Sequence, residues 1–119
     1  MIGITIRQDE RCAQFIVSGH ANYDEKGKDI VCAGISTLTN TLANIVRSWA
    51  EAKLIPLWMI WPDDDPHHIY VEPGGDPAIN STLDSIIAEF CQFGELYPDN
   101  VHVNVMDDRE KEDENDDSC

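Results

Sequence analysis

The first eighteen residues alternate between apolar and polar positions with a period of two. Ile2, Ile4 and Ile6 are separated by single Gly and Thr residues, and a second apolar segment at residues 15–17 follows a short polar turn. Successive side chains of a strand point to opposite faces of a sheet, so this period is typical of half-buried strands. The pattern predicts two strands that pair as a hairpin and end at Gly19.

From Ile30 onward the apolar residues recur every three or four positions, which is the period of an amphipathic helix. The spacing predicts a helix from its N-cap at Asp29 to about Lys53, and Pro56 sets the latest position at which it can end. The predicted buried stripe of this helix consists of Val31, Ile35, Leu38, Leu42, Ile45, Val46 and Trp49.

The second half of the chain repeats this order of elements. Residues 57–61 and 68–71 are apolar segments on either side of an acidic turn, which predicts a second hairpin. A second helix is predicted to begin at a cap on Asn80 or Ser81. Val residues then alternate over positions 101–105, which indicates a final strand.

The resulting order, ββαββαβ, predicts the fold class. We expect an α+β two-layer sandwich, in which a small, mostly antiparallel sheet of about five strands carries two helices packed on one face. All of these elements fit into a single domain over residues 1–106. Residues 107–119 contain eight acidic and two basic residues and are predicted to form a disordered acidic tail.

The chain is strongly acidic, with a formal net charge of −15 over 119 residues. An acidic surface repels phosphate backbones, so we expect no direct nucleic-acid contact; it suits a basic partner, or it serves solubility alone. No apolar run is long enough to span a membrane, and the chain opens as a strand rather than as a signal peptide. Four cysteines without C-x-x-C spacing are predicted to be separate thiols, which is typical of a cytoplasmic protein.

His20 and Cys32 have the clearest potential for chemistry. If Asp29 caps the first helix, Cys32 lies in its first turn, where free backbone N–H groups and the helix dipole favour a thiolate and can bind an oxyanion. His20 follows the second strand, and its imidazole can take the thiol proton and pass it to a leaving amine. From spacing alone, a small buried cysteine with only a packing role remains the alternative.

The position of Cys32 around the helix favours chemistry over packing. It lies about 100° from Val31, in the row that contains Ser36, and therefore at the edge of the predicted core. Ser36, one turn further on, is in position to hydrogen-bond the thiolate or a substrate. Two rival hypotheses use the same residues: a non-enzymatic module that holds an extended peptide in this cleft, and a small metal-binding protein that uses His20, Cys32 and a carboxylate.

The residues around this pair form a dense pattern of Gly19, His20, Ala21, Tyr23, Gly27, Asp29, Ile30, Val31, Cys32, Ala33, Ser36 and Leu38. This pattern resembles the signature of the bacterial ribosomal-processing cysteine protease family, called Prp. The similarity is dense over residues 17–42, is looser at Tyr97–Asp99, and covers residues 1 to about 106 in all. Gly34 departs from the family pattern, in which alanine is more usual, and is expected to weaken the first helical turn slightly.

The resemblance implies a cytoplasmic cysteine endopeptidase that needs no metal or cofactor. Its substrate would be a basic large-subunit ribosomal protein precursor, from which it removes a short N-terminal extension after an aromatic residue. The resemblance assigns Cys32 as nucleophile and His20 as general base and acid, and it implies a homodimer. It also implies a mobile loop from Ala21 to Lys28 that orders over the substrate, with Gly27 as a hinge. The residues expected to contact substrate or to form this loop are Gly19, Ala21, Tyr23, Gly27, Asp29 and Ser36.

Asp29 and the adjacent histidines have structural interpretations as well. Asp29 either caps the helix or orients His20 as a third catalytic member; the cap is favoured, because a carboxylate that accepts from helix N–H groups is less free to reach an imidazole. His67 and His68 are assigned to a turn and an edge strand, since neighbouring strand residues point to opposite faces and do not easily share one metal ion. The tryptophans are assigned to the core by default, with a dimer face as the alternative for one or two of them.

Overall fold

The computed structural model describes residues 1–21, 23–24, 29–61 and 66–108. The predicted acidic turn at 62–65 and residues 109–119 of the predicted tail lie outside the described residues. The observed order of elements is the predicted ββαββαβ. In chain order they are β1 (Ile2–Gln8), β2 (Ala13–Ser18), α1 (Ile30–Glu51), β3 (Leu57–Trp61), β4 (His67–Glu72), α2 (Pro77–Leu96) and β5 (Val101–Asp107).

The five strands form one mixed sheet in the order β3-β4-β2-β1-β5. Both predicted hairpins are present, because β1 pairs antiparallel with β2 and β3 pairs antiparallel with β4. β2 and β4 are also antiparallel, whereas β5 runs parallel to β1 with Ile2 opposite Val101. The prediction of a mostly antiparallel five-stranded sheet in an α+β fold is therefore confirmed.

The core lies between the sheet and the two helices. The alternation along β1 buries all three isoleucines, and the rings of Phe15 on β2 and Phe90 on α2 meet at 6.1 Å between centroids. Burial of each large apolar side chain contributes roughly 1.5–3 kcal/mol to the stability of the fold. The fully buried residues include Ile4, Ile6, Phe15, Ile69 and Val71 from the sheet, and Val31, Leu42, Val46, Leu83 and Phe90 from the helices.

The second helix begins earlier than predicted. Its N-cap is Asp76, whose Oδ1 accepts from the Ala78 N–H at 2.9 Å, and Pro77 is the first helical residue. Proline suits this position, because the first turn has no use for its missing N–H and its fixed φ is already helical. The predicted caps Asn80 and Ser81 are wrong, since both lie inside α2.

Two further predictions are corrected by the positions of side chains. Trp58 and Trp61 are 38% and 39% exposed, because β3 is an edge strand with β4 as its one sheet neighbour, so their assignment to the core is wrong. Cys12 is disulfide-bonded, so the prediction of separate thiols does not hold there. Within the described parts of the chain, the free thiols are those of Cys32 and Cys91.

Gly34 allows the two helices to approach each other closely. A Cβ at this position would lie 2.7 Å from Cζ of Phe93 on α2. The Phe93 ring therefore fills the space that a side chain at position 34 would occupy. Glycine in place of the more usual alanine is thus explained by the packing of α2 against α1. Of the helices in the described residues, none has the length and apolarity that crossing a bilayer requires.

Candidate functional site

Gly19 turns the chain out of the sheet at the end of β2. Its φ is +90°, and a Cβ there would lie 2.4 Å from the backbone oxygen of Met1. A larger residue would meet both a disfavoured backbone conformation and a fixed carbonyl group. Only glycine therefore fits, and the tight turn delivers His20 to the end of the sheet beside the start of α1.

Asp29 caps α1 and also binds the segment that precedes it. It has an extended conformation, and its Oδ1 accepts from the Cys32 N–H at 2.9 Å. Its Oδ2 accepts from the backbone N–H groups of Tyr23, at 2.9 Å, and Asp24, at 3.4 Å. The Cys32 N–H is the main cause that holds the pKa of Asp29 below 3.8, so the carboxylate is ionised at neutral pH. With both oxygens on backbone donors, the structure supports the cap interpretation.

Cys32 is the third residue of α1 and is half-buried at the edge of the core, as its place on the helix predicts. Its Sγ accepts a hydrogen bond from the Ala21 N–H at 3.3 Å. Ala21 is almost fully buried, at 1% exposure. The sulfur therefore lies at the positive end of the helix dipole with a backbone donor directed at it, and both features stabilise a negative charge on sulfur.

A cavity of about 290 Å³ brings the predicted pair together. His20 and Cys32 both line it, and Ser36 lines it one helical turn beyond Cys32. His20 and Ser36 are exposed, so the cavity opens to solvent on their side. Its walls are formed by Ile2, Val17, Ser18, Gly19, His20, Cys32, Ile35, Ser36, Thr39, Asn40 and His67.

The other predicted site residues occupy different positions. The Ala21 N–H donates to Cys32 Sγ, and the Asp29 side chain accepts from the Cys32 N–H. Tyr23 is 47% exposed, and its ring meets the Tyr97 ring edge-on, with centroids 5.5 Å apart. Gly27 and most of the predicted mobile loop lie outside the described residues, so loop closure stays a prediction.

The turn between α2 and β5 contributes a residue that sequence reasoning missed. The side-chain Nδ2 of Asn100 donates to the Ala21 carbonyl at 2.8 Å. Tyr97, in the same turn, contacts Tyr23 as described above. The sequence offered only the weak match at Tyr97–Asp99 as a signal, because nothing in the local pattern shows that this turn lies beside the end of β2.

His67 is a second missed residue of the cavity. It lies on β4, which is placed between β3 and β2, so the assignment to a turn or edge strand is wrong. The expectation that the two histidines point to opposite faces is supported. His68 stacks on Trp61 at 4.2 Å and contacts Gln14 Oε1 at 3.1 Å. Burial lowers the pKa of His68 from 6.5, which favours its neutral form at neutral pH.

Metal binding finds no support in the described parts of the chain. They contain no group of three or more His, Cys, Asp or Glu side chains arranged to hold a metal ion. The Asp29 carboxylate, which is next to Cys32, is occupied by backbone N–H groups.

The chain is similar to known proteins over most of its length. A family model described as cysteine protease Prp matches residues 1–102. The ribosomal processing cysteine protease Prp of Bacillus subtilis (strain 168) is 42% identical over 111 residues, which cover 88% of this chain and 97% of that protein. The protein of the same name from Staphylococcus aureus strain Mu50 is 28% identical over 107 residues, which cover 87% and 95%.

A solved structure is similar over the same region. The essential ribosomal processing protease Prp from S. aureus, in complex with a covalently linked product peptide, superposes with a TM-score of 0.71 at 26% identity. The match covers 88% of this chain and 99% of that one. Fold, family model and sequence identity thus agree over the strands and helices that form the cavity. The chain is a cysteine protease and belongs to the cysteine protease Prp family.

Proposed function

We propose that this chain is an endopeptidase that removes an N-terminal extension from a large-subunit ribosomal protein precursor, with Cys32 as nucleophile and His20 as general base and acid. The observation that carries the proposal is the environment of Cys32 Sγ. The sulfur lies in the first turn of a capped helix, accepts the Ala21 N–H, and lines the same cavity as His20. The names of the relatives and the product peptide bound to the S. aureus protease support a peptide substrate of ribosomal origin.

In the proposed reaction the His20 imidazole takes the thiol proton while Sγ attacks the carbonyl carbon of the scissile peptide bond. The C–N bond of the tetrahedral intermediate then breaks, and the imidazolium gives its proton to the leaving amine, which is the new N-terminus of the ribosomal protein. The extension remains bound to Cys32 as a thioester. Water, deprotonated by His20, hydrolyses this thioester and restores the free thiol.

We propose an oxyanion donor other than the helix N–H groups predicted from sequence. The Cys32 N–H already donates to the Asp29 carboxylate, so it is not available in the way that a free helix N-terminus would be. Ser36 lines the cavity one turn beyond Cys32. We therefore propose the Ser36 hydroxyl as a donor to the developing oxyanion, assisted by the dipole of α1.

The charge of the chain supports a basic substrate. With a net charge of −15, the protease attracts a basic precursor over a long range, and this attraction is screened by salt. We therefore expect kcat/KM for a basic precursor to fall as ionic strength rises, because the substrate binds less tightly. Cleavage after an aromatic residue and cytoplasmic location belong to the same proposal.

The experiment that tests the proposal uses a peptide that spans the junction between extension and mature ribosomal protein, with an aromatic residue before the scissile bond. We expect Cys32→Ala and His20→Ala to lower kcat/KM by at least ~10³-fold. Cys91→Ala and His102→Ala are the matched controls, since they remove a half-buried cysteine and an exposed histidine away from the cavity. Both controls should remain within about twofold of wild type.

The same assay separates the rival binding module from the protease. Fluorescence anisotropy with Cys32→Ala should show that the peptide still binds although it is not cut. Wild-type protein that binds the peptide and leaves it intact over hours would support the binding module instead. Equal cleavage by wild type and Cys32→Ala would contradict the assigned nucleophile.

We also propose that the protease is a homodimer. The edge strand β3 exposes Leu57, Trp58, Met59 and Trp61, and such an apolar edge on a folded domain is typical of an interaction surface. Light scattering after size exclusion should give twice the monomer mass, and Trp58→Glu should give the monomer. A monomer at every concentration of the wild-type protein would contradict this proposal without affecting the assignment of Cys32.

A further inference from the structure

We propose that Asn100 is a positioning residue for the reaction, because its side-chain amide fixes the Ala21 backbone that serves both Cys32 and His20. The inference rests on the proposed function of those two residues. Asn100 lies in the turn between α2 and β5, remote in sequence from both. Its role would be to keep the donor on the sulfur and the imidazole beside the cavity.

The contacts form a continuous connection to the sulfur. Asn100 Nδ2 donates to the Ala21 carbonyl at 2.8 Å, and the Ala21 N–H donates to Cys32 Sγ at 3.3 Å. One buried residue is thus held at both of its backbone polar groups. The Ala21 N–H belongs to the peptide group that begins at the His20 carbonyl, so rotation of this backbone would displace the sulfur's donor and the imidazole together.

Asn100 is itself held firmly by backbone bonds that do not involve its side chain. Its N–H donates to the Tyr97 carbonyl at 3.0 Å, and its carbonyl accepts from the Ile2 N–H at 2.9 Å. These bonds join the end of α2 to the start of β1. A change of the Asn100 side chain therefore removes the bond to Ala21 while the bonds that place residue 100 remain.

The position of Asn100 indicates action through Ala21 rather than on the substrate. Among the described residues that line the cavity, Asn100 is absent. A residue that orients the reacting groups without touching substrate should affect kcat more than KM. This split distinguishes a positioning role from a substrate contact.

The test compares Asn100→Ala and Asn100→Asp with wild type. Alanine removes the donor, and aspartate keeps the shape but places a carboxylate against the Ala21 carbonyl. We expect Asn100→Ala to lower kcat about 3- to 10-fold, which is the range for one lost hydrogen bond, with KM within about twofold. Asn100→Asp should lose at least as much. The matched control is Asn104→Asp, which makes the same change of charge at an exposed position of β5 and should leave kcat unchanged.

A second readout measures the thiol directly and does not need a peptide substrate. Alkylation by iodoacetamide is followed by mass spectrometry of the Cys32 peptide, with the Cys91 peptide as internal reference. In Asn100→Ala and Asn100→Asp the Cys32 alkylation rate at neutral pH should fall relative to that of Cys91, because the thiolate loses a well-placed donor. If wild-type protein cuts no peptide, the proposed function fails and this measurement still decides the role of Asn100.

Any of three results would overturn the inference. One is wild-type kcat and wild-type Cys32 alkylation in both Asn100 variants. A second is full activity in Asn100→Asp with loss of activity in Asn100→Ala, since the shape of the side chain alone would then explain the effect. The third is a lower melting temperature of the Asn100 variants together with equal changes in the alkylation rates of Cys32 and Cys91, because general destabilisation would then explain the effect.

Discussion

The segments that lead into the two helices have nearly the same local chemistry, yet only one forms a site. Each contains a glycine with positive φ, Gly19 at +90° and Gly75 at +78°. Each ends in an extended aspartate that caps the helix, Asp29 for α1 and Asp76 for α2. Local sequence rules therefore describe the two segments equally well, and the difference must come from what each segment binds elsewhere.

The segment before α1 is bound at more points than the segment before α2, and one bond comes from a distant turn, in which Asn100 donates to the Ala21 carbonyl at 2.8 Å. Asp76 accepts from Ala78, two residues further on, and completes its own helix. Asp29 instead holds the backbone at Tyr23 as well as its helix, and the thiol in that turn accepts from Ala21. Both helices thus have a capped N-terminus, and the start of α1 differs because the backbone of the preceding segment is bound against it. We propose that this difference makes Cys32 reactive.

The largest difference is expected between substitutions of the two glycines, Gly19 and Gly75. Gly19→Ala would place a Cβ 2.4 Å from the Met1 carbonyl in addition to its strained φ, so we expect loss of several kcal/mol of stability and of all cleavage. Gly75→Ala has the same kind of φ but meets no atom within 4 Å, so about 1–2 kcal/mol and unchanged kcat/KM are expected. Chemical denaturation and the peptide assay measure both. Equal destabilisation by the two variants would contradict the role given to the Met1 carbonyl.

The next largest difference is expected between substitutions of the two helix caps, Asp29 and Asp76. Asp29→Ala releases both the first turn of α1 and the backbone at Tyr23, so we expect kcat/KM to fall roughly tenfold or more, since misplacement of reacting groups is costly. Asp76→Ala removes a cap alone and should cost about 1 kcal/mol with no change in kcat/KM. Steady-state kinetics beside thermal melts check the pair. The contrast between the two segments would be lost if both variants kept wild-type kcat/KM.

Lowering the pH should destabilise the start of α1, because it protonates the Asp29 carboxylate. Its folded pKa lies below the ordinary value of 3.8, so its stabilising contribution is complete above that pH and is lost as pH falls through the lower, folded pKa. We expect the difference in unfolding free energy between wild type and Asp29→Asn to be constant from neutral pH to about pH 5 and to shrink below pH 3.8. A difference that shrinks already between neutral pH and about pH 5 would argue against the lowered pKa of Asp29.

The smallest expected effect concerns the thiol on the other helix. Burial, and then the charge of Glu95, raise the pKa of Cys91 above 9.0. At about pH 8 its thiolate fraction is therefore lower than that of a free thiol, and alkylation should be slow and should rise only at more alkaline pH. Glu95→Gln should move this profile slightly to lower pH. If Cys91 reacts as fast as a small-molecule thiol under these conditions, its pKa is not raised and this prediction is wrong.

The fold was largely predictable because periodicity reports which side chains are buried. The alternation of Ile2, Ile4 and Ile6 corresponds to buried residues. Of the predicted helical stripe, Val31, Ile35, Leu42 and Val46 are buried, whereas Leu38, Ile45 and Trp49 are partly buried. The errors fall where sequence carries no information about neighbours. Trp58 is apolar yet exposed because β3 lies at the edge of the sheet, and strand order cannot be read from the composition of one strand.

The candidate site was predictable only in its central part. His20 and Cys32 lie on either side of one loop and belong to a recognisable local motif, and the cap at Asp29 follows from helix chemistry. Asn100 and His67 reach the same region through the parallel pairing of β5 with β1 and the placement of β4 beside β2. Those pairings are set by packing over the whole domain, so no local pattern indicates them.

The pairing of the first strand with the last has a consequence for when activity can arise. Ile2 lies opposite Val101, so nearly the whole domain separates the two halves of this contact along the chain. Contacts of such long sequence separation form late, after the entropy of closing the intervening chain has been overcome. During translation the α2–β5 turn emerges from the ribosome after both β1 and the thiol-bearing helix. A growing chain thus carries the cysteine long before it can assemble the surroundings of that cysteine, and synthesis itself delays the appearance of the protease.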